Sequence, residues 1–218
     1  MSSDQHPDKH LARTERDALC DLFVAVGPDA PTLCGDWTTR DLAAHLVMRE
    51  RRPDGAVGIL VPKAAGYAEK VQAGIAQREW DELVARVRSG PPIWSPTRLS
   101  GVDKLVNTFE FFVHHEDVRR GGPTWEPRQL DHDDVAELYG LLSRMAKRLV
   151  TKSPVGIVLE PTEELDPIVA REAEPSVTVR GGVGELVLFA FGRQDHADVE
   201  VVGDDASVAA VRTAAFGI

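Results

Sequence analysis

Glu110-Phe111-Phe112-Val113-His114 sets a carboxylate and an imidazole four residues apart inside an apolar run. On a helix this spacing stacks both side chains on one face, one turn apart. Neither group is cheap to bury without a partner. The flanking pattern extends the helix. Leu105, Val106, Phe109, Phe112 and Val113 form an apolar stripe that predicts a helix from Ser100 or Gly101 to about Arg120. Gly121-Gly122-Pro123 stops it. A second helix is signalled upstream, where Thr38 followed by Asp41 has the form of a capping box. Leu42, His45, Leu46 and Arg49 then share one face, so His45 belongs to the apolar side. Two helices that each turn a metal-ligating residue inward point to a helical bundle with a polar site in its interior.

Other segments follow the same logic. His10 to about Val26 and Asp131 to about Leu149 carry helical stripes. Tyr67 to about Arg88 does too, but its pattern falters at Arg78-Glu79-Trp80 and predicts a kink or a split. Residues 1–9 read as a polar, frayed start, residues 54–65 as irregular, and Gly90 to Pro96 as a stiff connection. The character changes after Pro154. Strands are predicted near Val155–Leu159, Ile168–Val169, Val177–Val179 and Val199–Val202. Short helices are predicted over Glu185–Phe191 and Asp205–Ala215, with residues 181–184 as a turn. The expected architecture is mainly α with a small α+β tail. It is a four-helix bundle over residues 1–152 followed by a small C-terminal α/β domain over 153–218.

Composition excludes several functional classes. The 218 residues carry 35 acidic and 25 basic side chains, a net charge of −10. Such a surface does not suit nucleic acid or an anionic membrane, both of which need a basic face. No apolar run reaches the ~18 residues of a membrane span. Two cysteines, Cys20 and Cys34, do not make a disulfide framework. These features predict a cytoplasmic protein with reduced thiols, monomeric or homodimeric. The chain contains no G-x-S-x-G, no phosphate loop, no G-x-G-x-x-G and no H-E-x-x-H.

His45, Glu110 and His114 are the candidate metal ligands. Two imidazoles and a carboxylate are the donor set of several catalytic zinc sites and of non-haem iron sites. The competing reading is a buried hydrogen-bonded cluster with no metal. Asp117, three residues past His114, is placed to orient a ligand imidazole or to act as a fourth ligand. His115 and Glu116 are expected at the surface or an interface, and Arg119 and Arg120 as cations closing a helix, with anion binding as the second reading. Trp37 is read as a packing residue, and Cys34 as a thiol near the start of the His45 helix. Arg193 is a candidate for binding substrate or thiol, against an ordinary capping role.

The segment Pro31-Thr32-Leu33-Cys34-Gly35-Asp36-Trp37-Thr38-Thr39-Arg40-Asp41-Leu42-Ala43-Ala44-His45-Leu46 resembles the start of the mycothiol-dependent maleylpyruvate isomerase N-terminal domain, a member of the DinB-like superfamily. Glu110-x-x-x-His114 resembles the second part of that family's metal site, and residues 177–204 its small C-terminal domain. His114-His115-Glu116-Asp117-Val118-Arg119-Arg120 is similar to the signature of a metal-binding subgroup. The resemblance spans nearly the whole chain. It implies a DinB-like four-helix bundle with a divalent metal at His45, Glu110 and His114, zinc first and nickel or iron next. It implies an open coordination position facing the tail domain. It also implies a low-molecular-weight thiol, mycothiol, and a small-molecule substrate, hence a thiol-dependent isomerase or S-transferase. The alternative is a non-catalytic protein with a structural metal, tied to stress or detoxification.

Overall fold

The computed structural model of the chain describes residues 11–52, 65–92 and 101–217. The sequence readings for residues 1–9, for 54–64 and for Ser95-Pro96 lie outside the described residues. The chain divides into two compact units, Met1–Trp125 and Glu126–Ile218.

The first unit is helical: α1 (Leu11–Val26), α2 (Thr39–Arg51), α3 (Ala65–Ala76), α4 (Trp80–Arg88) and α5 (Gly101–Arg119). Gly27, at φ +80, ends α1 by donating its N–H to the Phe23 carbonyl oxygen at 3.0 Å. The faltering pattern at Arg78-Glu79-Trp80 is a split between α3 and α4. Thr38 caps α2 in a full capping box: its side chain accepts from Asp41 N, and Asp41 Oδ2 accepts from Thr38 N at 3.0 Å. α1 packs on α4 and α5, and α2 packs on α3 and α4. Their shared core contains Leu19, Phe23, Leu42, Leu46, Leu83, Val87 and Phe111, all fully buried. Each such large side chain contributes roughly 1.5–3 kcal/mol of apolar burial.

This core also holds charge. Arg16 of α1 pairs with both carboxylate oxygens of Glu50, donates to the Val87 carbonyl oxygen at 2.7 Å and lies 4.0 Å from the Phe111 ring centroid. Glu15 Oε2 meets His115 Nδ1 at 2.7 Å. Glu116 Oε2 accepts from Arg120 Nε at 2.6 Å, and Arg120 stacks on Trp125. His115 and Glu116, expected at the surface or an interface, are instead buried within the first unit. They are 7% and 1% exposed, because α1 covers the face of α5 that carries His115 and because Arg119 and Arg120 fold back onto Glu116. Arg120 is a buried ion-pair partner rather than a solvated cation at the helix end.

The second unit contains α6 (His132–Leu149), β1 (Gly156–Pro161), β2 (Ile168–Arg171), β3 (Ser176–Gly181), α7 (Val183–Ala190), β4 (Glu200–Val202) and α8 (Asp205–Arg212). The sheet order is β2-β1-β3-β4, with β1 and β3 parallel and both outer pairs antiparallel. Asp131 caps α6 by accepting from Asp134 N at 2.9 Å. The division of the chain differs from the expected boundary at residue 152 by this one helix. The apolar stripe of α6 packs on α7 and β2, which draws it into the second unit. α7 begins at Val183, two residues before the predicted start, because β3 runs through Gly181 and Gly182 is the N-cap. The fold is mainly α with a small mixed sheet at the C-terminal end. Among the described residues no helix is long and apolar enough to cross a membrane.

Candidate metal centre

α2 and α5 bring His45, Glu110 and His114 together. His45 Nε2 lies 3.2 Å from Glu110 Oε1, and His114 Nε2 lies 3.4 Å from the same oxygen. The two imidazole rings meet edge to face with centroids 5.6 Å apart. One ligand atom from each of the three residues falls within 4.8 Å of the other two. Bonds of about 2.0–2.2 Å in a tetrahedral zinc site hold the donor atoms about 3.4 Å apart. The nitrogen–oxygen separations here match that spacing, and the donor types are those zinc and iron take, so the residues fit a divalent ion.

The neighbours of these groups set their orientation. Asp117 Oδ2 lies 2.9 Å from His114 Nδ1. An ionised carboxylate only accepts, so Nδ1 carries the proton and Nε2 faces the other two donors. Asp117 is fully buried and meets the His114 ring at Nδ1, on the other side from Nε2. Trp37 packs its ring 5.1 Å from that of His45. Arg49, one turn beyond His45, brings Nε to 3.5 Å from Glu110 Oε1 and donates from Nη1 to Asn107 Oδ1 at 2.8 Å. Burial opposes ionisation of Glu110. Hydrogen bonds from His114 and His45, with the Arg49 charge, outweigh it and hold the carboxyl well below the usual range. Burial likewise opposes an imidazolium at His114, yet hydrogen bonds to Asp117, Cys34 and Glu110 hold its pKa well above the usual value.

Two further side chains join the site. Arg49 shares the inward face of α2, and its i, i+4 spacing from His45 is the sequence signal for it. Cys34 carried no such signal, since its partner Asp117 is 83 residues away. Arg193 lies in the second unit, where Nη1 donates to the Phe191 carbonyl oxygen at 2.6 Å.

The two thiols differ in environment. Burial pushes the Cys20 thiol up to about 12, against the nearby Arg88 and Arg16 charges. Cys34 is partly exposed. Alkylation of the native protein near pH 8 is therefore expected to modify one thiol per chain, and two once the protein is denatured. Peptide mapping that finds the native label on Cys20 would contradict this assignment.

Comparison with known proteins bears on the same residues. The sequence profile of the mycothiol maleylpyruvate isomerase N-terminal domain matches residues 10–119, which include every residue of this centre. No curated protein matches the chain. Two solved structures share the fold: the mycothiol-dependent maleylpyruvate isomerase and a histidine-to-alanine mutant of it. Each is 16% identical at a TM-score of 0.60, over 89% of this chain and 91% of that one. With the profile covering half of its length, the chain belongs to the mycothiol maleylpyruvate isomerase N-terminal domain family.

Proposed function

We propose that this protein holds one divalent ion, zinc first, at His45, Glu110 and His114, and acts with a low-molecular-weight thiol on a small molecule. The reaction class is isomerisation or thiol S-transfer, in line with the enzyme whose fold it shares. The observation that carries this reading is the convergence of His45 Nε2 and His114 Nε2 on one oxygen of Glu110. An ion bound there supplies Lewis acidity and lowers the pKa of a thiol presented to it.

The chain's own residues do the rest. Asp117 fixes the His114 ring and its tautomer, and Trp37 holds the His45 ring in place. Arg49 adds a guanidinium beside the one carboxylate of the donor set. A divalent ion, Glu110 and Arg49 together leave an excess of positive charge, even after the buried Asp117 is included. That excess favours an anionic thiol or a carboxylate-bearing substrate.

The test is elemental analysis of the purified protein followed by a thermal-shift titration with mycothiol. At least one equivalent of metal is expected, with one bound at His45, Glu110 and His114. Mycothiol is expected to raise the melting temperature of the metal-loaded protein and to leave the chelated protein unchanged. Protein that purifies without metal, and takes up none on addition of zinc, would overturn the reading.

A further inference from the structure

The far edge of the His114 ring faces a second set of donors. Cys34 Sγ donates to Asp117 Oδ2 at 3.1 Å and lies 3.7 Å from His114 Nδ1. These atoms, with Asp117 Oδ2 at 2.9 Å from Nδ1, all fall within 4.8 Å of one another. The loop that carries the thiol is tightly held. Cys34 N donates to Thr32 Oγ1 at 3.1 Å, Thr32 Oγ1 donates to the Trp37 carbonyl oxygen at 2.8 Å, and Pro31 bridges Thr38. Leu33 N donates to the backbone oxygen of Asp117 itself at 3.0 Å. Gly121 permits this approach, since a Cβ there would stand 2.2 Å from the Pro31 carbonyl oxygen. The thiol is thus set beside a fully buried carboxylate and an imidazole nitrogen by backbone contacts from both sides.

We propose that Cys34, Asp117 and His114 Nδ1 form a second metal position, for a thiophilic divalent cation such as zinc or cadmium, sharing His114 with the first. A sulfur, a nitrogen and an oxygen donor make this set softer than the imidazole–carboxylate set on the other side of the ring. The charge balance is favourable. An entering divalent cation displaces the Cys34 thiol proton and the Nδ1 proton, so the net charge around Asp117 does not change. With both positions filled, His114 bridges them as an imidazolate through Nδ1 and Nε2. The inference rests on the proposed metal centre only through the shared ring, and the two positions are separable by experiment.

The probe is cadmium, titrated into the chelated full-length chain and followed by calorimetry and by thiolate-to-metal absorption in the ultraviolet. The wild type is expected to bind two equivalents, one of them with the absorption band. Cys34→Ala is expected to bind one equivalent and to lose the band. His45→Ala is expected to keep the band and lose the other equivalent. Cadmium is also expected to protect Cys34 of the wild type from alkylation, a readout that needs no variant. A band that persists unchanged in Cys34→Ala, or alkylation of Cys34 at the same rate with and without cadmium, would overturn the second position. If His45→Ala binds as the wild type does while Cys34→Ala loses an equivalent, the second position stands and the first is the one in error.

Discussion

Glu110→Ala is expected to lower divalent-metal affinity by more than about 100-fold, since loss of an outer hydrogen-bond partner alone costs about 10–100-fold. Glu110 supplies the anionic donor of the set and stands between the two imidazoles, 3.2 and 3.4 Å from their nitrogens. Its removal also leaves the Arg49 guanidinium facing two imidazoles without the carboxylate that offsets it. An entering cation then meets positive charge where it had met negative charge. Glu110→Gln keeps the side-chain volume and one oxygen but loses the charge, so its affinity is expected between those of wild type and Glu110→Ala. Asp117→Asn leaves His45, Glu110 and His114 in place; at this position it disturbs the hold on His114, and it also removes the carboxylate that accepts from the Cys34 thiol. Its loss is expected to be the milder one, about 10–100-fold. Calorimetric zinc titration and elemental analysis measure all three. Full metal content in Glu110→Ala would sink the ligand assignment.

Glu116→Ala is expected to destabilise the first unit by about 3–5 kcal/mol, the usual cost of removing one partner from a buried ion pair. Glu116 accepts from Arg119 Nη1 at 2.8 Å and from Arg120 Nε at 2.6 Å, and both Glu116 and Arg120 have side chains 1% exposed. Truncation takes the carboxylate from a guanidinium that water barely reaches. Against a total stability of about 5–15 kcal/mol, that loss is a large fraction. It corresponds to a fall in melting temperature of roughly 10 °C. The exposed network of Arg180 with Glu160 and Glu200 provides the contrast. There solvent screens the charges, and Glu160→Ala is expected to leave the melting curve where it was. Equal shifts in the two variants would show that burial does not set the value of the Glu116 pair.

His115 and Glu116 show where reading the sequence failed. A helical wheel places them off the His114 face, and charged residues off one buried face are ordinarily solvated. α1 covers the second face of α5 and brings Glu15 to His115. α1 itself reads as an amphipathic helix whose charged positions belong outside, yet Glu15 is 3% and Arg16 9% exposed. Nothing in the local pattern reveals that two nominally polar positions on α1 find polar partners on α2 and α5. Pairing across helices lifts the desolvation penalty that would otherwise keep them at the surface.

The candidate metal centre was more legible. Glu110 and His114 are related by helical geometry alone, and the Thr38 capping box fixes where α2 begins, so His45 falls on its inward side for local reasons. Resemblance to a family then joined the two helices into one ligand set, a step that spacing left open between a metal and a hydrogen-bonded cluster.

The chain by itself determined its helices, their caps and stops, the change of character after Pro154, and the stacking of Glu110 on His114. All of these follow from interactions within a few residues, whose geometry one helical turn or one tight turn dictates. Tertiary structure alone decided the rest. It brought His45 to Glu110 across 65 residues and Cys34 to Asp117 across 83, and it buried the Glu15, Arg16 and Glu116 charges. These contacts depend on which helix faces pack together, and that choice belongs to the whole core rather than to any segment of it.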